Sequence, residues 1–246
     1  MDDQQIAEQA MQEARKRKKS FARLAIDSIP SEKSPASVFM AGSPGAGKTE
    51  TARNMRELFT QQTGSNFIHI DNDEYRKEFS DYKGVNSPLF QGAAKIFVEA
   101  VHDRALKRGV SFIMDTTLSN YEKAKSNINR SLAKNREVLI VFVYQSPEQA
   151  WEFVQAREAV EGRRVPEDVF IDQFLYAQVT VSRLKKEFKK EVDLMFIKRS
   201  SHAGQEAIYF DVNNIDALLG KKYTRNELKA LIESARAGGN HEYDSK

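Results

Sequence analysis

Between the apolar run Val38-Phe39-Met40-Ala41 and a segment with helical spacing lies Gly42-Ser43-Pro44-Gly45-Ala46-Gly47-Lys48-Thr49, followed by Glu50. The spacing is GxxxxGK[ST]. Glycines at such positions let the backbone turn tightly and aim successive N–H groups at one phosphate. A helix that starts there adds the positive end of its dipole. Lys48 would reach the β- and γ-phosphates as a point charge, and Thr49 would offer its hydroxyl to Mg²⁺. Residues 42–50 therefore read as the binding loop for a nucleoside triphosphate. A dinucleotide loop is excluded, because Glu50 stands where the third glycine of GxGxxG belongs.

The remaining carboxylates and arginines narrow the chemistry. A guanine-specific hydrolase would need DxxG after a strand and NKxD. Asp81-Tyr82-Lys83-Gly84 falls well beyond the second expected strand, and Asn213-Asn214-Ile215-Asp216 has Asn214 where lysine belongs. A motor or transport ATPase would carry a second carboxylate after the strand-terminal Asp115 to activate water, but Thr116 and Thr117 follow instead. This favours transfer to a bound hydroxyl over hydrolysis. Asp71-Asn72-Asp73 follows an expected strand, where open α/β sheets bind ligands. In an extended segment Asp71 and Asp73 would face the same way, and a carboxylate there can take the proton of an acceptor hydroxyl. The structural alternative is that Asp73 caps a helix starting at Glu74. Arg76 occupies the position an EF-hand reserves for glycine. Arg157, Arg163 and Arg164 cluster around the helix breakers Gly162 and Pro166, as expected of a lid over a transferring phosphoryl group.

These groups need a frame, and the hydropathy pattern supplies one. Strands are expected at 37–41, 66–70, 110–114 and 138–144, with later ones at 193–197 and 208–210. Helices are expected at 4–29, 48–61, 91–107, 120–135, 147–160, 167–190 and 224–237. Ser146 is a good N-cap, and Thr224 with Glu227 has capping-box spacing. Strands alternating with helices predict a three-layer α/β fold, a mostly parallel sheet with flanking helices, plus an N-terminal helical extension. The expected divisions are a basic helical extension and linker over 1–34, a P-loop kinase domain over 35–238 with its lid near 157–170, and a tail over 239–246.

Composition closes off other classes. The 246 residues contain no cysteine, which removes disulfides, thiolate metal sites and cysteine nucleophiles. No HExxH occurs, so a zincin is excluded. Lys and Arg number 38 against 35 Asp and Glu, and a net charge of +3 is too weak to announce a nucleic-acid binder. The longest strongly apolar run, Val138 to Tyr144, is too short to cross a bilayer. With no apolar signal segment after Asp2 and Asp3, the expected location is cytoplasmic. The basic run at 15–19 reads first as a solvated helix face, and otherwise as a phosphate- or partner-binding patch.

The ordered series of motifs resembles the zeta-toxin family of P-loop kinases over roughly residues 20–200. It comprises Phe39-Met40-Ala41 before the glycine loop and Glu50 after it, Ile70-Asp71-Asn72-Asp73-Glu74-Tyr75-Arg76, Asp115-Thr116, and Gly162-Arg163-Arg164-Val165-Pro166. The resemblance implies ATP and Mg²⁺ as cofactors and phosphorylation of the 3′-hydroxyl of UDP-N-acetylglucosamine. It also implies a toxin whose partner is an antitoxin protein. It implies Lys48 and Thr49 for ATP and Mg²⁺, Asp73 as the base, Asp115 as an acidic substrate-binding position, and Arg157 with Arg163 or Arg164 as charge-stabilising groups. The acceptor set is then Asp71, Asp73, Asp115, Thr116 and Thr117. The sequence departs from the family pattern at Asp115-Thr116-Thr117, where Glu-Gly-Thr is usual, and the shorter side chain bears on the acceptor more than on phosphoryl transfer. Three other readings remain open: a kinase of another acceptor such as a nucleoside, a dinucleotide or an antibiotic, a polynucleotide kinase using 15–19, and an ATP-gated binding module.

Overall fold

The computed structural model describes residues 2–200 and 206–239. A six-stranded sheet has the order β2-β3-β1-β4-β5-β6, with strands β1 (Ala36–Ala41), β2 (Ile68–Asp71), β3 (Phe112–Asp115), β4 (Glu137–Tyr144), β5 (Asp193–Arg199) and β6 (Glu206–Tyr209). The first five are parallel, and β6 pairs antiparallel with β5 at the edge. The strands sort their side chains by alternation. Phe39, Phe112, Ile140 and Phe142 face one apolar layer, while Val38, Met40, Ile113, Val141 and Val143 face the other. β1 and β4 are buried on both sides, as the absence of polar alternation in them requires.

Helix α2 (Lys48–Thr63) covers the second face through Ala52 and Met55. The opposite face is covered by α4 (Ser87–Arg108), α5 (Tyr121–Leu132), α6 (Pro147–Glu161) and α7 (Glu167–Phe188), and the short α3 (Asn72–Arg76) stands between β2 and α4. The short α8 (Asp216–Leu219) and α9 (Arg225–Gly239) complete the described chain, α9 packing on α6 and α7. The expected three-layer arrangement with a mostly parallel sheet is what is observed.

Local chemistry sets the boundaries. α2 runs two residues past its expected end because Gly64 takes the left-handed conformation and donates back to Thr60. α4 starts at Ser87 rather than Gln91, since Pro88 in the first turn needs no N–H partner. Ser146 caps α6, and the Thr224–Glu227 capping box forms. Of the expected tail over 239–246, Gly239 is the last residue of α9 and the rest lies outside the described residues. At the amino end of the sheet, the buried Arg136 donates to Ser37 Oγ (2.6 Å), Ala36 O (2.7 Å) and Val110 O (2.8 Å), tying β1 and the entry to β3 to the start of β4.

The N-terminal helix α1 (Asp3–Ile26) lies along α4. Ala10, Ala14, Ala22 and Ile26 are buried, and Phe21 stacks on Phe97 at 4.2 Å. Arg17 reaches from the basic run to Glu13 and Glu78 and lies 5.7 Å from the Phe97 ring centre, while Arg15, Lys16, Lys18 and Lys19 are exposed. Phe97 is thus the hinge pin between α1, α4 and Phe79. Phe97→Ala is expected to lower unfolding stability by about 3–5 kcal/mol, measured by urea denaturation. A loss below about 1 kcal/mol would show that α1 is not held by this cluster.

Candidate active site

The loop after β1 enters α2 through three glycines with positive φ, Gly42, Gly45 and Gly47. At Gly45 a Cβ would stand 2.0 Å from Ala150 O, so the loop and α6 can meet only without a side chain there. Lys48 folds back over the loop and donates from Nζ to Ser43 O at 2.7 Å. Burial lowers its pKa, and Asp115 pulls in the opposite direction. Ala46 sits behind the loop in the α2-side core, whereas Pro44, Gly45, Gly47, Lys48, Thr49 and Glu50 line the cleft. No side chain caps α2, because its N-cap is Gly47. Ser43 is buried, and Gly42 N–H donates to Thr117 O at 3.2 Å, so the loop is tied to the strand ends.

Parallel pairing sets Asp71 of β2 directly beside Asp115 of β3. Thr49 Oγ1 donates to Asp115 Oδ2 at 2.6 Å, which joins the loop to the third strand. Burial would raise the Asp115 carboxyl, but His69, Lys48 and Thr49 together hold it below the usual carboxylate range. Asp71 goes the other way. Burial pushes it up to about 6, with Asp115 and Asp73 adding to the rise. Thr116 and Thr117 continue the rim: Thr116 Oγ1 accepts from Leu118 N–H at 3.1 Å, and Thr117 Oγ1 lies 2.9 Å from Ser119 Oγ.

The helix after β2 differs from expectation. Asp71, not Asp73, is its N-cap, its Oδ1 accepting from Asp73 N–H at 2.8 Å. Asp73 therefore sits in a helical first turn rather than in an extended segment two residues on. Its carboxylate is ringed by Arg163, by Arg76 Nη1 at 3.4 Å and by Arg157 Nη2 at 3.7 Å. Arg157 also meets Glu161 at 3.5 Å, and Gly162, in the left-handed conformation, ends α6 so that Arg163 can turn inward. Arg164 is exposed at the mouth of the same cleft, beside Val165 and Pro166. The cleft encloses about 680 Å³, and every chemistry-bearing residue named from the sequence except Gly42, Ser43 and Ala46 lines it.

Sequence reasoning missed three groups. Arg76 follows Asp73 at the i+3 helical spacing and also bonds Ser87 Oγ and, at 3.2 Å, Asn72 Oδ1; the spacing was a usable signal. Arg199, at the end of β5, spans from Glu50 (3.0 Å) to Thr51 Oγ1 (3.2 Å), with nothing local to mark it. His69 faces Asp115 only through the β2–β3 register.

With this geometry in view, comparison with known proteins is decisive for family. The family model for Zeta toxin matches residues 21–213. The chain belongs to the zeta toxin family. Comparison with curated proteins gives no match. Among solved structures the chain is similar to one from the PezAT chromosomal toxin–antitoxin system of Streptococcus pneumoniae, with 16% identity and a TM-score of 0.62 over 90% of this chain and 93% of that one. It is also similar to AvrRxo1-ORF1:-ORF2 with ATP, with 13% identity and a TM-score of 0.60 over 96% of this chain and 89% of that one. At these identities the shared property is the fold. The zeta toxin match spans every cleft residue from the glycine loop to Arg199.

The Asp71 carboxyl gives a measurable pH effect. The unfolded chain releases this proton near 3.8 and the folded protein near 6. The native state binds the proton more tightly, so its stabilising contribution is full below about pH 4 and lost as pH rises through 6. Asp71→Asn keeps an oxygen for the α3 cap and removes the buried charge. Its stability is expected to exceed wild type at pH 7 by on the order of 2–3 kcal/mol, and to match it near pH 4. Urea unfolding between pH 4 and 8, in EDTA and without nucleotide, checks this; parallel pH curves would contradict it.

Proposed function

We propose that the chain is an ATP-dependent small-molecule kinase, transferring the γ-phosphate to a sugar hydroxyl of a nucleotide sugar, with the 3′-hydroxyl of UDP-N-acetylglucosamine as the leading acceptor. The observation that carries this reading is the placing of Asp73 and its three arginines across one cleft from Lys48 and Thr49. One wall can hold a triphosphate, the other can receive a proton, and no carboxylate follows Asp115 to activate water.

The residues fit the groups that the reading requires. The uncapped start of α2 and the glycine loop offer N–H donors to phosphate, and Lys48 adds a charge. Thr49 Oγ1 and the Asp115 carboxylate are an oxygen donor pair suited to Mg²⁺. When bound, Mg²⁺ would neutralise charge on the β- and γ-phosphate oxygens. In this reading Asp115 works on the metal side of the cleft, while Asp71, Thr116 and Thr117 complete the acceptor rim.

Asp73 accepts the hydroxyl proton as the acceptor oxygen bonds to the γ-phosphorus. The bond from that phosphorus to the β,γ-bridging oxygen breaks, and ADP leaves. Arg157 and Arg163 now compensate Asp73; a phosphoryl group draws such guanidiniums by bidentate bonding, which frees the carboxylate as it charges the cleft. Arg164 stands ready at the mouth. Positioning and charge stabilisation carry the rate. Family membership supports reading the chain as the toxin of a toxin–antitoxin pair, with an antitoxin protein as its partner. No helix among the described residues is long and apolar enough to cross a membrane.

The test is transfer from labelled ATP to UDP-N-acetylglucosamine. Asp73→Asn is expected to lose about a hundred- to ten-thousand-fold in kcat while keeping ATP binding. Lys48→Ala is expected to lose ATP binding as well. Full transfer by a folded Asp73→Asn protein would remove the base assignment; no product from wild type that binds ATP would remove the acceptor.

A further inference from the structure

Alternation along β2 turns His69 and Asp71 to the same face of the sheet, and register sets them beside Ile113 and Asp115 of β3. Ile113 belongs to the α2-side core, so all three polar groups lie under the start of α2. The carboxylates and the imidazole each offer an atom within 4.8 Å of the others. Their side chains are almost wholly buried, with 10% of His69 and 7% of Asp115 exposed. His69 Nε2 lies 3.8 Å from Asp115 Oδ2, beyond hydrogen-bond reach, and is buried with no hydrogen-bond partner. A buried polar atom without a partner is costly, and two carboxylates side by side repel each other.

A cation between the three groups removes both costs at once. The geometry points to a divalent transition-metal site formed by His69, Asp71 and Asp115, which binds a Mn²⁺-class ion in the protein without nucleotide. Imidazole sets the class. Mg²⁺ takes oxygen ligands and holds its water, whereas a mixed nitrogen and oxygen donor set favours the first-row transition ions. Lys48 supplies one positive charge nearby, so the pair of carboxylates retains a net negative charge for the ion. This goes beyond the kinase reading: it concerns the nucleotide-free protein, and it shares with that reading the Asp115 and Asp71 carboxylates while adding the His69 imidazole.

The experiment titrates Mn²⁺ into nucleotide-free protein and follows the loss of the free-ion signal by electron paramagnetic resonance. Wild type is expected to bind one Mn²⁺, and a large excess of Mg²⁺ is expected not to displace it. His69→Gln and His69→Leu, both checked for folding by circular dichroism in EDTA, should weaken binding about ten-fold or more, at least the loss that removing an outer-shell partner of a ligand brings. Lys48→Ala, which cannot hold the triphosphate, should bind Mn²⁺ at least as tightly as wild type, so failure of the kinase reading leaves this result untouched. The inference is overturned if wild type binds no Mn²⁺, if Mg²⁺ displaces it readily, or if folded His69 variants bind as wild type does. Loss in Thr49→Ala with full binding in His69→Gln would also overturn it, placing the ion at the loop alone.

Discussion

Everything in the cleft follows from having three carboxylates close together at the carboxyl ends of two neighbouring strands. Like charges at this spacing cannot all ionise freely in a buried setting. The protein handles each differently. Asp115 is held ionised by Thr49, Lys48 and His69, and Asp71 is pushed toward its neutral form while its oxygen caps α3. Asp73, the most exposed of the three, is matched by guanidiniums. The arginines come from α3 (Arg76), from the end of α6 (Arg157) and from the break after it (Arg163), so the position of Gly162 is part of the charge balance, not only a helix end. The cleft thus holds cations already gathered and already partly desolvated.

Much of this was legible because it is local. The glycine loop is written in eight consecutive residues, and its function depends on backbone conformations that only glycine adopts cheaply. Apolar runs marked the buried strands, and caps marked most helix ends. The arginines at the cleft were visible because Gly162 and Pro166 break the pattern around them. Asp73 reaches the cleft by a different local backbone from the one expected: the chain turns helical at Asn72, with Asp71 rather than Asp73 as the cap. The residue lies in the cleft, but on a backbone other than the extended one expected, since a five-residue helix leaves too little periodicity to read.

What the sequence hid depends on register and on long-range packing. His69 stands in an ordinary strand until β2 and β3 align, and only then does it face Asp115. Arg199 is one basic residue among many until β5 runs beside β4 and delivers it to the glycine loop, where a Cβ on Gly47 would stand 2.3 Å from its Nη1. Arg136 is similar: no spacing rule assigns one buried guanidinium to three strands. The antiparallel turn of β6 is likewise a matter of the sheet edge rather than of its own short sequence.

The N-terminal helix shows how distant packing reaches the chemistry. It docks on the body of the fold along α4. Phe21 stacks on Phe97 and meets Tyr75 edge-on at 5.0 Å, and Tyr75 lies in α3 between Asp73 and Arg76. Arg17 adds a bond to Glu78 O at 3.2 Å, just past the same helix. Five residues cannot hold a helix by their own hydrogen bonds, because nucleation outweighs so short a gain. The turn that aims Asp73 at the cleft is therefore held from outside, by Asp71 at one end and by α1 and α4 at the other. The linker does not free α1 either, since Glu32 N–H bonds Gly109 O at 2.8 Å and its carboxylate accepts from Ser111 Oγ. The basic run thus serves first as a structural brace through Arg17, while its exposed lysines leave the helix soluble on the outer side.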